Sequence, residues 1–455
     1  MFYTYLTFIQ YLKILRRFLF LKRIVQINHL FREMSVATTN QSNNISFNKI
    51  LTAQYISFIF LNLIAFSLPL HTHINSVFII ALCISLFFHK KPKKRLQNLF
   101  DNQLFYLFIG LYLIQIIGLT YTNDFQDAFY KLETKLSILI CPFVIGLMPK
   151  LNNKQIYVII TSFAFSCLLI TFYYFFKTTD DFFFSNSNTF PASTEFLKSI
   201  SPGIGSVYMG MYNIFAIFSI LYILLREWKY TPLGLKVLSL ISISILYAFV
   251  VLLEARTALY ISFLFVIIYI SYNIYIRKNY DATTISLSVA SLVLTGFFAY
   301  NNDMHNKVTS KLDIKLENTR DLRMVQWGCA AKILLNNNHT LFFGIGTGDV
   351  QNNIGPCYAS HGYGQFKDSF NAHNEYIEEA LRHGLIGLFI FLSALLIPFY
   401  LSIYQRRSYL YFLFLLIFII WSFTESTLST QKGTVFYAFF NALLFFNFID
   451  KRKAK

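Results

Sequence analysis

Apolar runs recur along almost the whole chain, and polar residues are confined to short steps between them. The runs fall near residues 51–70, 76–88, 99–119, 136–148, 156–176, 204–225, 237–253, 258–276, 284–300, 385–404, 409–423 and 435–449. A helix needs about 20 apolar residues to cross a bilayer, so the second, fourth and eleventh runs are short for the task. The pattern predicts an all-α polytopic membrane protein with about twelve transmembrane helices. Its one sizeable hydrophilic module is a loop over residues 301–384, between the ninth and tenth runs. The implied order is a lead-in over 1–50, spans over 51–300, the loop over 301–384, three further spans over 385–449 and a tail over 450–455.

Charge orients this string of spans. With the N-terminus in the cytoplasm, 25 Lys and Arg residues fall on the inner side and six in the short outer loops, the other eight lying in the long loop. Positive charge favours the cytoplasmic side of short loops, and long loops are exempt. The asymmetry places both termini inside and the 301–384 loop outside. Residues 1–34 mix apolar residues with Lys13, Arg16, Arg17, Lys22 and Arg23. They read as an amphipathic surface helix rather than a signal peptide, since no small-residue cleavage site follows a clean apolar core. Met34 is a second candidate start, and 35–48 is a polar lead-in.

Composition agrees. The 455 residues are 55% hydrophobic and 13% charged, against about 25% charged in soluble domains. The net charge of +17 does not point to nucleic acid, because it is spread as topology signals between spans. Cys83, Cys141 and Cys167 lie in apolar runs and read as buried thiols. Cys329 and Cys357 share the loop. An oxidising compartment would let them pair, but sequence alone leaves the connectivity open.

Chemistry is to be sought where polar residues cluster against this background. Arg323 and Trp327, four apart in a helical pattern, share a helix face, which is either an ordinary loop helix or an arginine facing a phosphate. Arg320 precedes them. The alternating glycines of Phe343-Gly344-Ile345-Gly346-Thr347-Gly348-Asp349 lack the strand and helix of a dinucleotide fold and read as a turn. His373-Asn374-Glu375-Tyr376 opens a polar helix start, with Asn371 as the expected N-cap and Glu375, Glu378 and Glu379 in the first turns. His373 there is a solvated loop histidine or a general base. Glu254-Ala255-Arg256-Thr257 interrupts two spans, so Arg256 is either a snorkelling cation or a cation aimed at a lipid-borne phosphate.

Together these residues resemble the O-antigen ligase and Wzy-type O-antigen polymerase superfamily. The likeness rests on Arg256-Thr257 at a span start, Arg323 before Trp327, Gly344-Ile345-Gly346, and His373-Asn374-Glu375-Tyr376 running through Gly384 and Gly387 into a span. It implies a metal-independent, cofactor-free membrane glycosyltransferase in the bacterial inner membrane. The implied donor is a glycan on undecaprenyl diphosphate. The implied acceptor is lipid A–core for a ligase, another repeat unit for a polymerase, or a protein hydroxyl in a third branch. It assigns the donor diphosphate to Arg256 and to Arg323 or Arg320, catalysis to His373, and supporting roles to Asn374, Glu375, Tyr376 and Trp327. A transporter or flippase is the rival class. Carriers more often place ionisable groups mid-membrane, whereas these spans read as nearly charge-free.

Overall fold

The computed structural model describes residues 44–70, 72–89, 92–184, 205–253, 255–271, 319–363, 371–404 and 409–449. The chain divides into two units, Met1–Thr52 and Ala53–Lys455, and the helix packing and the candidate site belong to the second. The described residues form helices and turns with no strand. In chain order the helices are α1 (Asn44–Ser67), α2 (Thr72–Ser85), α3 (Pro92–Phe100), α4 (Gln103–Ile117), α5 (Phe125–Leu147), α6 (Asn153–Phe184), α7 (Ser206–Arg226), α8 (Leu233–Leu252) and α9 (Arg256–Ser271). Then come α10 (Thr319–Leu334), α11 (Asn338–Phe343), α12 (Val350–Ser360), α13 (Glu375–Tyr404), α14 (Tyr409–Ser422) and α15 (Gln431–Leu444).

Six helices among the described residues are long and apolar enough to cross a membrane, and a bent pair, Thr72–Phe88 with Lys93–Phe100, would make a seventh. The runs at 51–70 and 409–423 appear as shorter apolar helices, Gln54–Ser67 and Tyr409–Ser422. The run at 136–148 is the second half of α5, whose first half is polar. The run at 284–300 and the lead-in over 1–43 lie outside the described residues.

Burial explains the packing. α15 lies against α5, α7 against α6 and α8, and α13 against α4 and α14. At their centre Phe163, Phe215, Phe414, Phe436 and Phe440 interlock, with Phe215 and Phe440 rings 4.8 Å apart and edge-on. Edge-to-face rings match positive rim to negative face and add to the burial term.

The described residues of the hydrophilic module, 319–363 and 371–384, are folded. Asp124 caps α5 by accepting from the Asp127 N–H at 3.0 Å, and Asn352 of α12 donates to its other oxygen at 2.9 Å. Those donors hold the Asp124 carboxyl below the usual carboxylate range. Asp349 accepts from the Asn123 and Asp124 N–H groups at 2.8 and 2.7 Å. A small apolar core joins Cys329 and Ala330 of α10 to Val350, Ile354 and Tyr358 of α12, and Cys329 and Cys357 are disulfide-bonded.

The module meets a span through a break in α13. Gly384 stands at φ 63° and ψ −158°, outside helical geometry. The carbonyls of Leu381 and Arg382 accept instead from the Ile345 and Gly346 N–H groups at 2.9 and 3.0 Å, so the freed backbone acceptors stay satisfied. The alternating glycines are therefore a backbone contact. A Cβ on Gly384 would sit 2.2 Å from the Phe342 carbonyl carbon, and one on Gly344 would sit 2.4 Å from that of Arg382. Gly384→Ala should lower stability by at least about 1–3 kcal/mol, from left-handed backbone plus collision. Gly328→Ala, in α10 with open space around it, should be neutral or stabilise by up to about 1 kcal/mol. Thermal unfolding in detergent compares them, and equal melting temperatures would refute the packed crossing.

Candidate active site

The turn between α14 and α15, residues 423–430, gathers most of the candidate residues. Glu425 Oε2 lies 3.2 Å from His373 Nδ1. Thr424 O accepts from Arg323 Nη2 at 3.4 Å, and Thr424 Oγ1 lies 2.9 Å from Thr257 Oγ1 at the start of α9. Phe423 O accepts from Asn374 Nδ2 at 3.2 Å, and Leu428 N–H donates to Glu375 Oε2 at 2.8 Å. Arg256 and Arg320 have their backbone in α9 and α10, but their side chains lie outside the described residues.

Local sequence explains how His373 is presented. The cap of α13 is Asn374, not the expected Asn371: its Oδ1 accepts from the Tyr376 and Ile377 N–H groups at 3.0 and 3.2 Å. Asn371 Oδ1 instead accepts from the His373 N–H at 3.0 Å. His373 adopts φ 46°, and it alone among the described non-glycine residues has a positive φ. That conformation is sterically disfavoured for a side-chain-bearing residue and persists where its surroundings over-determine it. Trp327 contributes, since its indole N–H donates to Ala372 O, the carbonyl just before His373, at 3.1 Å. Tyr376 anchors the first turn by donating to Ile419 O at 2.9 Å.

The carboxylate beside His373 defines its chemistry. A carboxylate can only accept, so in this hydrogen bond Nδ1 is the donor. The side chains of His373 and Glu425 are 30% and 15% exposed. That leaves them reachable from one side while the turn holds them.

A second polar group lies buried beneath. Lys135 Nζ bonds Glu379 Oε1 and lies 4.0 Å from Glu375 Oε1. Gln115 Nε2 donates to Glu379 Oε2 at 3.0 Å. Arg382 Nη2 donates to Glu378 Oε1 at 2.6 Å and Nη1 to Thr347 O. His383 Nε2 lies 3.9 Å from Glu379 Oε2. Glu375, Glu378 and Glu379 are at most 1% exposed. Glu375 and Glu378 fall in the first turn of α13, as the sequence predicts, but their burial with Glu379 means that none of the three is a base open to a substrate. The group joins α4, α5 and the start of α13, just outside the apolar runs predicted at 136–148 and 385–404.

Sequence reasoning misses Glu425, Lys135, Gln115 and His383. Glu425 carries a signal, being the lone acid in a hydroxyl-rich step, Thr424-Glu425-Ser426-Thr427, between two apolar runs. Lys135 carries a weaker one, a cation at the edge of an apolar run. Cys329 Sγ, Cys357 Sγ and His361 lie within 4.8 Å of one another, but the two sulfurs are bonded together.

Residues 205–392 match the family model described as O-Antigen ligase. The resemblance seen between Arg256 and Phe391 thus falls inside a recognised domain of that superfamily, a family of membrane glycosyltransferase-type enzymes. No curated protein matches the chain.

Proposed function

We propose, taking the O-antigen ligase domain over residues 205–392 as premise, that the protein transfers a glycan from undecaprenyl diphosphate to lipid A–core. The site of transfer would be the periplasmic face of the bacterial inner membrane. The observation that carries the reading is the 423–428 turn, which ties His373, the Arg323 helix and the start of the Arg256 helix to one short segment. The disulfide within 319–363 suits an oxidising compartment and so supports the outer placement of that module.

The chemistry follows from the groups present. The donor is already activated by its diphosphate, so no nucleotide is required. As the glycosidic C–O bond breaks, negative charge grows on the leaving phosphate. Arg323, with Arg320 at the start of the same helix and Arg256 at the start of α9, supplies positive charge there. The acceptor hydroxyl attacks the anomeric carbon, and His373 Nε2 takes its proton. Glu425 holds the ring in the required tautomer and stabilises the imidazolium that forms.

Glycan transfer by purified protein in detergent, with no ion gradient, tests the class. Arg323→Ala should raise the KM for the lipid-linked donor on the order of tenfold to a hundredfold, the scale of a lost charged hydrogen bond. Arg323→Lys should recover part of that, keeping the charge but losing the fork. Unchanged donor KM in the Ala variant would remove Arg323 from the donor site.

Two other readings are separated by experiment. A polymerase would use the same groups on a different acceptor. In a deletion strain, single lipid-linked repeats point to a polymerase, and accumulated lipid-linked polymer points to a ligase. A carrier is favoured by the buried charged group at the broken helix α13, a feature of transporters. Movement of substrate only under a gradient, with no new glycosidic bond, would select it.

A further inference from the structure

The Cys329–Cys357 bond ties together the two helices that carry and support the donor arginine. α10 holds Arg323, Trp327 and Cys329 in one rigid segment. Six residues of helix separate Arg323 from Cys329, about 9 Å along the axis. At one end α10 reaches the site through Arg323 to Thr424 O and Trp327 to Ala372 O. At the other it rests on α12 through the disulfide and a core of eight buried apolar residues, Cys329 included. That core is small, so the covalent tie supplies much of the hold on α10.

The bond is also within reach. A cavity opens at the α10–α12 seam, lined by Met324, Gly328, Cys329, Lys332, Cys357 and His361, so both cysteines form part of its wall. Nothing lies within 4 Å of where a Cβ on Gly328 would sit, so the cavity is open on that side. His361 Nδ1 is bonded to Cys357 O at 2.8 Å and lies 3.9 Å from Cys357 Sγ.

We propose that Cys329–Cys357 is a redox latch on the donor-binding arginine, opened by a dithiol reductant that enters this cavity. The proposal rests on the reading of Arg323 as a donor-binding group. One thiolate of the reductant attacks the sulfur of Cys357, which is half-buried where Cys329 is buried, and Cys329 leaves and takes a proton. The second thiol then resolves the mixed disulfide, the reductant closes to its own disulfide, and Cys357 is released. Two electrons and two protons pass from the dithiol to the two cysteines. α10 then keeps its non-covalent packing on α11, α12 and α13 and its two hydrogen bonds, and Arg323 is held less firmly over the turn.

The test uses the full-length protein in detergent, with dithiothreitol as the reductant. Alkylation and peptide mass spectrometry should show Cys329 and Cys357 modified after reduction of the folded protein, with buried Cys141 and Cys167 unmodified. Hydrogen exchange over 319–334 should speed up by about tenfold or more, while 385–404 stays protected. The donor KM should rise by about tenfold with little change in kcat, and return on reoxidation. Cys329→Ser with Cys357→Ser should behave as the reduced form and ignore dithiothreitol. A bond that resists dithiothreitol in the folded protein, or unchanged exchange over 319–334 after reduction, would overturn the latch. If the oxidised protein transfers no glycan from any polyprenyl-diphosphate donor, the functional reading fails on its own, and the exchange measurement still decides whether α10 is latched.

Discussion

Replacing His373 with Ala is expected to lower kcat for glycan transfer on the order of a hundredfold or more, the usual worth of a positioned general base. The donor KM should change little, because the arginines stay. The strained backbone at this position, φ 46°, calls for a companion variant. His373→Gly removes the imidazole and tolerates a left-handed conformation without cost. Loss in both variants assigns the effect to the ring. Near-normal transfer by His373→Gly in a correctly inserted protein would show that the ring is not the base. Glu425→Gln keeps a hydrogen-bonding partner near Nδ1 but removes the carboxylate charge, and should fall between wild type and His373→Ala. A Glu425→Gln enzyme with wild-type kcat would detach the carboxylate from the reaction.

The second large effect is expected on stability. Lys135→Met leaves Glu379 and Glu375 buried without their cation. Removing one partner of a buried ion pair costs about 3–5 kcal/mol. A drop of that size should appear as a lower melting temperature in detergent and a poorer yield of folded protein. Adding Glu379→Gln should restore part of it, since the second change removes the charge left stranded by the first. A Lys135→Met protein that melts with the parent would mean that the carboxylates are satisfied some other way. The two experiments are independent: the first removes activity from a stable protein, and the second removes stability whatever the activity.

How much is legible in the sequence depends on how local each signal is. Hydropathy alone locates α4, α6, α7, α8, the second half of α13 and α15, because an apolar run of span length has few other solutions. It misjudges α5, where a polar capped half and an apolar half form one continuous helix. The Arg323 and Trp327 spacing correctly predicts a shared helix, and the helix start around His373 begins three residues later than the expected cap. The cap is misassigned because Asn371 and Asn374 are chemically equal candidates, and only backbone geometry distinguishes them. The partners of these residues are not legible. Glu425 lies 52 residues from His373, and Lys135 lies 244 from Glu379. No periodicity links positions so far apart, and a lone Glu or Lys between spans reads as a topology signal. The glycine run reads correctly as a turn, but its purpose needs the facing segment. Gly344 is small so that Arg382 and His383 can approach its backbone, and Gly346 so that Thr122 can.

That crossing changes what counts as a transferable piece of this protein. The segment 338–349 shares backbone hydrogen bonds with α13 and side-chain bonds with residues 121–124. Donor or acceptor preference therefore cannot be moved between relatives by exchanging the 319–363 module alone, since the recipient would have to supply a matching helix break and a matching α4–α5 corner. The smallest cassette that keeps its own contacts runs from α10 through α13 together with α4, α5 and the 423–430 turn, which makes this a discontinuous module whose pieces must be inherited together.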